Sequence, residues 1–206
     1  IPLASRMRPV FIEEFVGQKH LLEPGKALRI AIENNYIHSL VFWGPPGVGK
    51  TTLAKIIASQ SKCHFIELSA VMAGVKEIRA AVAEAAVVQK RNVNTVVFID
   101  EIHRFSKSQQ DSLLAPIEEG VITLFGATTE NPSFELNNAL LSRLRVYVMK
   151  SLDNDDLASL INRVLSKQLE LLGRENIRID EEALLYLTES ADGDARKCLY
   201  MLQIAV

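Results

Sequence analysis

The chain has 206 residues, 48% of them hydrophobic, and its 23 basic and 25 acidic side chains give a formal net charge of −2. This ordinary globular composition excludes a strongly basic nucleic-acid binder, although it permits a local basic surface. No apolar run approaches the ~20 residues that span a bilayer, and the two distant cysteines match neither a zinc site nor a disulfide framework. We therefore expect a protein of the cytosol or nucleus with no membrane partner.

Short apolar runs rich in β-branched and aromatic residues predict five buried strands. They are SLVFWG (39–44), HFIELS (64–69), TVVFID (95–100), VITLFG (121–126) and RVYVM (145–149). Helical patterns separate them at 51–60, 76–90 and 107–118. Because strands and helices alternate, the sequence predicts an α/β fold with a parallel sheet covered by helices on both faces.

A change of pattern near residue 150 divides the chain. Three helices are predicted beyond it, at 153–172, 181–191 and 194–206. Gly173 is typical of a helix end and Asp180 of an N-cap. We predict an α/β core over residues 1–150 and a small all-α domain over residues 151–206. Since the sequence does not begin with Met and stops inside an apolar helical pattern, we expect a fragment in which the second domain is truncated.

The string GPPGVGKT directly follows the first predicted strand and opens the first predicted helix. It matches the phosphate-binding pattern GxxxxGK[ST], whose backbone N–H groups surround a triphosphate. Lys50 would neutralise β- and γ-phosphate oxygens, and the hydroxyl of Thr51 would bind Mg²⁺. The predicted ATP-binding residues are Gly44, Pro45, Pro46, Gly47, Val48, Gly49, Lys50, Thr51 and Thr52.

Two adjacent carboxylates, Asp100 and Glu101, end the third predicted strand. One carboxylate is enough for magnesium, so we expect Asp100 to bind the nucleotide's Mg²⁺ together with Thr51. Glu101 would point elsewhere and polarise a water in line with the γ-phosphate. The second acid therefore predicts hydrolysis of ATP rather than binding alone.

The strings GPPGVGKT, FIDEIH, GATTENP, LLSR and GDARK occur in an order that resembles the AAA+ ATPases over nearly the whole chain. DEIHRF and GATTENPSFELN resemble the clamp-loader-like branch, and within it the family of bacterial replication-associated recombination protein A and the eukaryotic Werner helicase-interacting protein. The resemblance implies a P-loop core followed by a helical lid. It also implies a DNA-dependent ATPase, with ATP and Mg²⁺ as cofactors, that remodels replication forks or gaps.

The same resemblance implies three further catalytic residues. Thr128, with Thr129 as second choice, looks like sensor 1, which contacts the γ-phosphate. Arg143 looks like an arginine finger, with Arg145 as its rival; such a finger would serve the neighbouring subunit because it cannot reach its own γ-phosphate. Arg196 looks like sensor 2, a lid arginine that closes onto the nucleotide.

Two surfaces have looser matches. Val16 and Gly17 resemble the stretch that lines the adenine pocket in this branch, with packing as the alternative. For DNA, the helix start at Gly74 to Lys76, with Arg79, is the best candidate, because helix N-termini bind phosphate. The 103–105 segment could face DNA or a neighbouring subunit, with packing in its loop as the alternative.

The resemblance also implies partners and a location. They are DNA with single-strand/double-strand junctions, a homo-oligomer that is a tetramer in the full-length protein, and a single-strand binding protein or other replication proteins. The location would be the bacterial cytoplasm in association with the nucleoid, or the eukaryotic nucleus.

Other functions remain open at this point. A clamp-loader-type subunit, or an ATP-binding assembly subunit, would have a protein as its main target. The paired acids weigh against a small-molecule kinase, which must exclude water, and no NKxD string supports a GTP switch. The segment AVMAG (70–74) lacks the aromatic pore loop expected of a polypeptide-threading motor.

Overall fold

The structure is a computed structural model that describes residues 2–167 and 177–205. The described residues form two compact units. One contains Ile1–Gln18, Pro45–Gly49 and Lys150–Val206, and the other contains Lys19–Gly44 and Lys50–Met149. One boundary between the units lies between Met149 and Lys150, but the N-terminal residues and five residues of the phosphate-binding loop group with the C-terminal helices. The two domain extents, 1–150 and 151–206, stay a prediction.

The second unit contains a five-stranded parallel sheet, which confirms the predicted fold class. Its strands are β1 (Leu40–Trp43), β2 (His64–Ser69), β3 (Thr95–Asp100), β4 (Thr123–Thr128) and β5 (Arg145–Val148). They are arranged in the order β2-β3-β4-β1-β5, with every neighbouring pair parallel. The predicted 121–126 strand was two residues early, because the N–H groups of Val121 and Ile122 both bond to the carbonyl of Pro116 in the preceding turn.

Helices surround this sheet in the second unit. They are α2 (Lys19–Leu22), α3 (Ala27–Glu33), α4 (Lys50–Gln60), α5 (Val75–Gln89), α6 (Lys107–Asp111), α7 (Leu114–Glu118), α8 (Pro132–Glu135) and α9 (Asn138–Leu141). The helix predicted over 107–118 is two helices. Pro116 lacks an N–H and its ring would clash with the carbonyl of Ser112, so a continuous helix cannot pass this point.

The central strands are buried on both faces, as is usual for a parallel sheet. On one face, Val97, Ile99 and Leu124 pack with Ile78 and Ala85 of α5. Aromatic pairs add contacts within the sheet, with ring centroids 6.5 Å apart for Phe42 and Phe125 and 6.0 Å apart for Phe65 and Phe98. This core fixes the positions of the strand ends.

The first unit is helical. Its helices are α1 (Leu3–Arg6), α10 (Asn154–Lys167), α11 (Glu181–Ala191) and α12 (Ala195–Ala205). Asp180 is confirmed as an N-cap, since its Oδ1 accepts the N–H of Ala183 at 2.7 Å. Leu3 packs with Leu157, Ile161 and Cys198 in the core of this unit.

Part of the predicted helical region falls outside the description. Residues 168–172 of the first predicted helix, its predicted end at Gly173 and the final Val206 lie outside the described residues. Among the residues that are described, no helix is both long and apolar enough to cross a bilayer.

Candidate functional site

Three adjacent strands bring the predicted motifs to one edge of the sheet. In the order β3-β4-β1, the carboxyl ends lead to Asp100, Thr128 and the loop that starts at Gly44. Trp43 is in register with Thr128, and the N–H of Gly44 donates to the carbonyl of Thr128 at 3.1 Å. Ligands of open parallel sheets bind outside the carboxyl ends of the strands, so this edge is the candidate site.

The second unit holds both ends of the phosphate-binding loop. A Cβ atom on Gly44 would lie 2.5 Å from the carbonyl oxygen of Met149, so only glycine fits there. Lys50 begins α4 and its Nζ donates to the carbonyl of Gly44 at 2.7 Å. The side chains of Lys50 and Thr51 are buried, and Thr52 is half-buried. Because the first N–H groups of a helix lack helical acceptors, the start of α4 can receive phosphate oxygens.

The middle of the loop belongs to the first unit. Gly47 and Gly49 have φ angles of +72° and +101°, in the region that favours glycine. The carbonyl of Gly47 accepts the N–H of Ala195 at 2.9 Å, and a Cβ on Gly47 would collide with the Asp194 carboxylate. A Cβ on Gly49 would lie 2.6 Å from Cζ of Phe15. The other loop residues are half-buried Pro45, exposed Pro46 and buried Val48.

The backbone turns between Asp100 and Glu101. Glu101 adopts a left-handed conformation, with φ 56° and ψ 42°, and begins a 3₁₀ turn over Ile102–Arg104. Its N–H donates to Oδ1 of Asp100 at 3.1 Å. Among the residues that the structure describes, no basic side chain lies within ion-pairing distance of Asp100. Non-glycine residues in this conformation store strain and cluster at functional sites.

Thr128 is fully buried, and its hydroxyl has partners on two segments. Its Oγ1 lies 2.8 Å from Nδ1 of His103, accepts the N–H of Glu130 at 3.0 Å and lies 3.2 Å from the carbonyl of Glu130. Nε2 of His103 lies 3.2 Å from Oε2 of Glu101. Thr129 is half-buried. Two of the predicted catalytic residues, Glu101 and Thr128, are therefore connected through one imidazole ring.

Arg143 lies at the amino ends of the strands, in the segment between α9 and β5. Its guanidinium pairs with Glu118, with Nε 2.9 Å from Oε1, and also donates to the carbonyl of Ala139. Arg145 starts β5 and its N–H bonds to the carbonyl of Ser39, just before the amino end of β1. Arg143 is thus remote from the carboxyl ends where Lys50 begins α4.

The first unit contains the remaining predicted nucleotide contacts. Arg196 is exposed in the first turn of α12, and its N–H donates to Oδ1 of Asp194 at 2.8 Å. Val16 is half-buried and packs against the helical core, which is the contact expected of a packing residue. Gly17 has a φ of +81°, and a Cβ there would collide with Leu152.

The candidate DNA surface begins at the N-cap of α5. The N–H of Gly74 donates to Oε2 of Glu77 at 2.7 Å, and this bond lowers the pKa of the Glu77 carboxyl. A negative side chain therefore occupies the helix start where a phosphate was expected. Exposed basic residues nearby in sequence are Lys76, Arg79 and Arg104. The packing alternative for the 103–105 segment is supported, because His103 and Phe105 turn inward.

The comparison with family models decides the family. A model described as ATPase family associated with various cellular activities (AAA) matches residues 40–152, more than half of the chain. This chain belongs to the AAA ATPases. The match begins at β1 and ends beyond β5, so it includes the whole sheet and the strand ends that carry Asp100 and Thr128.

Individual relatives confirm the resemblance that the motifs indicated. Replication-associated recombination protein A of Coxiella burnetii is 52% identical over 99% of this chain and 46% of that protein. ATPase WRNIP1 of Dictyostelium discoideum is 46% identical over 100% of this chain and 23% of that protein. The Thermotoga maritima RuvB Holliday junction branch migration motor superposes with a TM-score of 0.71 and 28% identity, covering 96% of this chain and 64% of that chain. The chain spans about half the length of the Coxiella burnetii protein and about a quarter of the length of the Dictyostelium discoideum protein.

The contacts of three polar residues in this AAA chain were not predicted from the sequence. Asp194 accepts the N–H groups of Arg196 and Lys197, an N-cap that its position before a helical pattern could have revealed. Gln18 is buried and exchanges two hydrogen bonds with the backbone of Lys150, at 2.7 and 2.9 Å. The sequence predicts only a packing or surface role for His103. Its link to a threonine 25 residues away leaves no local signal.

Proposed function

We propose that this chain is the ATP-hydrolysing part of a DNA-dependent AAA+ ATPase that remodels replication forks or gaps. The observation that carries the proposal is the convergence of β1, β4 and β3 at one edge of the sheet. The phosphate-binding loop leaves β1, while Thr128 ends β4 and Asp100 ends β3. Phosphate-binding, metal-binding and water-activating groups therefore meet where a nucleotide binds in this kind of sheet.

The residues present fit ATP with Mg²⁺. Mg²⁺ prefers hard oxygen ligands and is usually held by one or two carboxylates together with substrate phosphates. Thr51 supplies a hydroxyl and Asp100 a carboxylate that no described basic side chain neutralises. When bound, Mg²⁺ would neutralise charge on the phosphate oxygens. Lys50 would add a fixed positive charge, and Glu101 would orient the attacking water.

Arg143 supports an enzyme that works as an oligomer. It lies beyond the amino end of β5, whereas the phosphate-binding loop follows the carboxyl end of β1. Because β1 and β5 are parallel neighbours, one position lies at the amino ends of the strands and the other at their carboxyl ends. We propose that Arg143 stabilises transition-state charge in a neighbouring subunit of a homo-oligomer, a tetramer in the full-length protein.

The first unit supplies further proposed contacts. Arg196 follows Ala195, whose N–H bonds to the carbonyl of Gly47 in the phosphate-binding loop. We propose that Arg196 contacts the phosphates as sensor 2. Val16 and Gly17 are proposed at the adenine, although Val16 already has the packing contacts described above.

DNA as the substrate is supported by similarity. One relative is named a replication-associated recombination protein, and the RuvB structure is described as a Holliday junction branch migration motor. We propose that the present protein acts on single-strand/double-strand junctions, alongside a single-strand binding protein or other replication proteins. It would do so in the bacterial cytoplasm at the nucleoid, or in the nucleus of a eukaryote.

The test is ATP hydrolysis by the full-length protein as a function of its concentration, with and without junction DNA. A rate that rises with both supports an oligomeric, DNA-coupled ATPase. A rate that ignores DNA favours the clamp-loader-type alternative with a protein target, and no hydrolysis favours an ATP-binding assembly subunit. Glu101→Gln should bind ATP but not hydrolyse it. Glu84→Gln is the matched control, because Glu84 pairs with His64 at the amino end of β2, away from the carboxyl ends of the strands.

The DNA surface needs its own variant. Lys76→Glu reverses an exposed charge at the start of α5 and should reduce the ratio of DNA-stimulated to DNA-free hydrolysis. Lys90→Glu reverses an exposed charge at the other end of the same helix and serves as the control. Equal stimulation in both variants would contradict a DNA contact at the helix start.

A further inference from the structure

His103 uses both ring nitrogens toward residues of the proposed catalytic site. Its side chain is 9% exposed, with Nε2 3.2 Å from Oε2 of Glu101 and Nδ1 2.8 Å from Oγ1 of Thr128. Glu101 follows β3 and Thr128 ends β4, so the ring joins two neighbouring strand ends.

The charge of Glu101 determines which atoms donate and which accept in the hydrogen bonds of His103. An ionised carboxylate only accepts hydrogen bonds, so in the neutral imidazole the tautomer with the proton on Nε2, facing Glu101, fits this contact. Nδ1 is then an acceptor, and the Thr128 hydroxyl can donate to it at 2.8 Å or to the carbonyl of Glu130 at 3.2 Å. The same hydroxyl oxygen accepts the N–H of Glu130 at 3.0 Å. When the hydroxyl donates to Nδ1, the hydrogen bonds run in one direction from the Glu130 N–H to the Glu101 carboxylate.

We infer that His103 is a positioning residue for ATP hydrolysis, which orients Glu101 and couples it to Thr128. This inference rests on the proposed function. Glu101 has a long side chain that is one-third exposed, so without a fixed neighbour its carboxylate would sample many rotamers. The buried imidazole restricts that freedom from one side. Orientation of the water-activating group is worth large factors in rate.

The coupling follows from the single proton of the Thr128 hydroxyl. That proton can be donated to Nδ1 of His103, to the carbonyl of Glu130 or to a phosphate oxygen, but not to more than one of them at full strength. A phosphate at Thr128 would therefore compete with His103 for the proton. Because Nε2 of the same ring contacts Glu101, this competition would change the hydrogen bond to the carboxylate that activates water.

A second histidine–glutamate pair provides the contrast. Nε2 of His64 lies 2.6 Å from Oε1 of Glu84, but the His64 side chain is 36% exposed and the pair lies on the surface between β2 and α5. Surface ion pairs of this kind contribute little to the stability of the folded state. Variants of His64 are therefore a matched control for variants of His103.

The experiment compares three variants in the full-length protein. His103→Phe keeps a ring but removes both contacts, and we expect kcat to fall by about a hundredfold with little change in ATP affinity. His103→Gln can reach Glu101, whereas His103→Asn can reach only toward Thr128. We expect the Gln variant to retain more activity than the Asn variant, and His64→Phe to match wild type. Thermal melting identifies any variant that does not fold, in which case the Gln and Asn pair decides.

The coupling is tested by combining His103→Phe with Thr128→Val. If Thr128 acts through His103, the double variant should be no slower than the slower single variant, whereas independent roles would multiply the two losses. Wild-type kcat in the Phe variant, or multiplied losses in the double variant, would overturn the inference and leave the proposed function standing. Failure of the wild type to hydrolyse ATP would overturn the proposed function itself, and the inference with it.

Discussion

Gln110 is the buried polar residue whose removal we expect to destabilise the sheet unit most clearly. Its side chain is 2% exposed and makes three hydrogen bonds to backbone groups. Nε2 donates to the carbonyls of Phe105 at 3.1 Å and Glu135 at 3.0 Å, and Oε1 accepts the N–H of Asn137 at 2.8 Å. Gln110 thus joins the loop after β3 to the segment that connects α8 with α9.

The size of the effect follows from these bonds. Three bonds at about 1 kcal/mol each predict that Gln110→Ala lowers the free energy of unfolding by about 3 kcal/mol. The neighbouring Gln109 also makes two backbone bonds, to the N–H of Ser106 at 2.8 Å and the carbonyl of Ala73 at 3.3 Å. These partners lie close to solvent, so water can replace the side chain and Gln109→Ala should cost no more than about 1 kcal/mol.

Urea-induced unfolding of the two variants and the wild type, followed by circular dichroism, measures both values. The pair is matched because the residue type, the substitution and the helix are the same. If the two variants differ by less than about 1 kcal/mol, burial of the hydrogen-bonded partners does not set the cost and the reasoning is wrong. A change in the slope with urea would show instead that the unfolded state had been altered.

Three further results are expected. Mixing Arg143→Ala subunits with Lys50→Ala subunits should restore part of the hydrolysis that each lacks alone, and the absence of rescue would contradict a finger that acts between subunits. Gly49→Ala should destabilise the chain by about 1–3 kcal/mol more than Gly25→Ala, because both have positive φ but only Gly49 has an aromatic ring against it. Burial raises the pKa of Cys198 to about 11, so this thiol should resist alkylation at about pH 8 until the protein unfolds, as mass spectrometry would show.

Local patterns were sufficient for most elements of the fold. Strand β2 and helix α11 begin and end where predicted, because a turn or cap bounds each of them, as the Asp180 cap does for α11. The prediction of one helix over 107–118 was wrong, because the ring of Pro116 would clash with the carbonyl four positions earlier. Similarly, α12 begins one residue late because Asp194 acts as its cap.

Some residues of the candidate site could likewise be predicted from local sequence patterns, and others could not. Lys50 and Asp100 could be found because their roles require a fixed spacing within one strand–loop–helix segment. His103 and Gln110 could not, because their partners lie 25 or more residues away and depend on which strands become neighbours. Arg143 was identified by resemblance, but its pairing with Glu118 is visible only in three dimensions.

Strand β5 is an edge strand of the sheet, and its exposed edge could pair with another chain during misassembly. Val146 and Val148 are 43% and 47% exposed, and an exposed edge strand with apolar side chains is a template for pairing with another chain. Two features oppose such pairing: Arg145 places a charge at the start of the strand, and Nε2 of His20 lies 2.7 Å from the carbonyl of Val148. Losing the imidazole would free that carbonyl to accept a foreign strand, so aggregation of partly unfolded protein should begin at this edge.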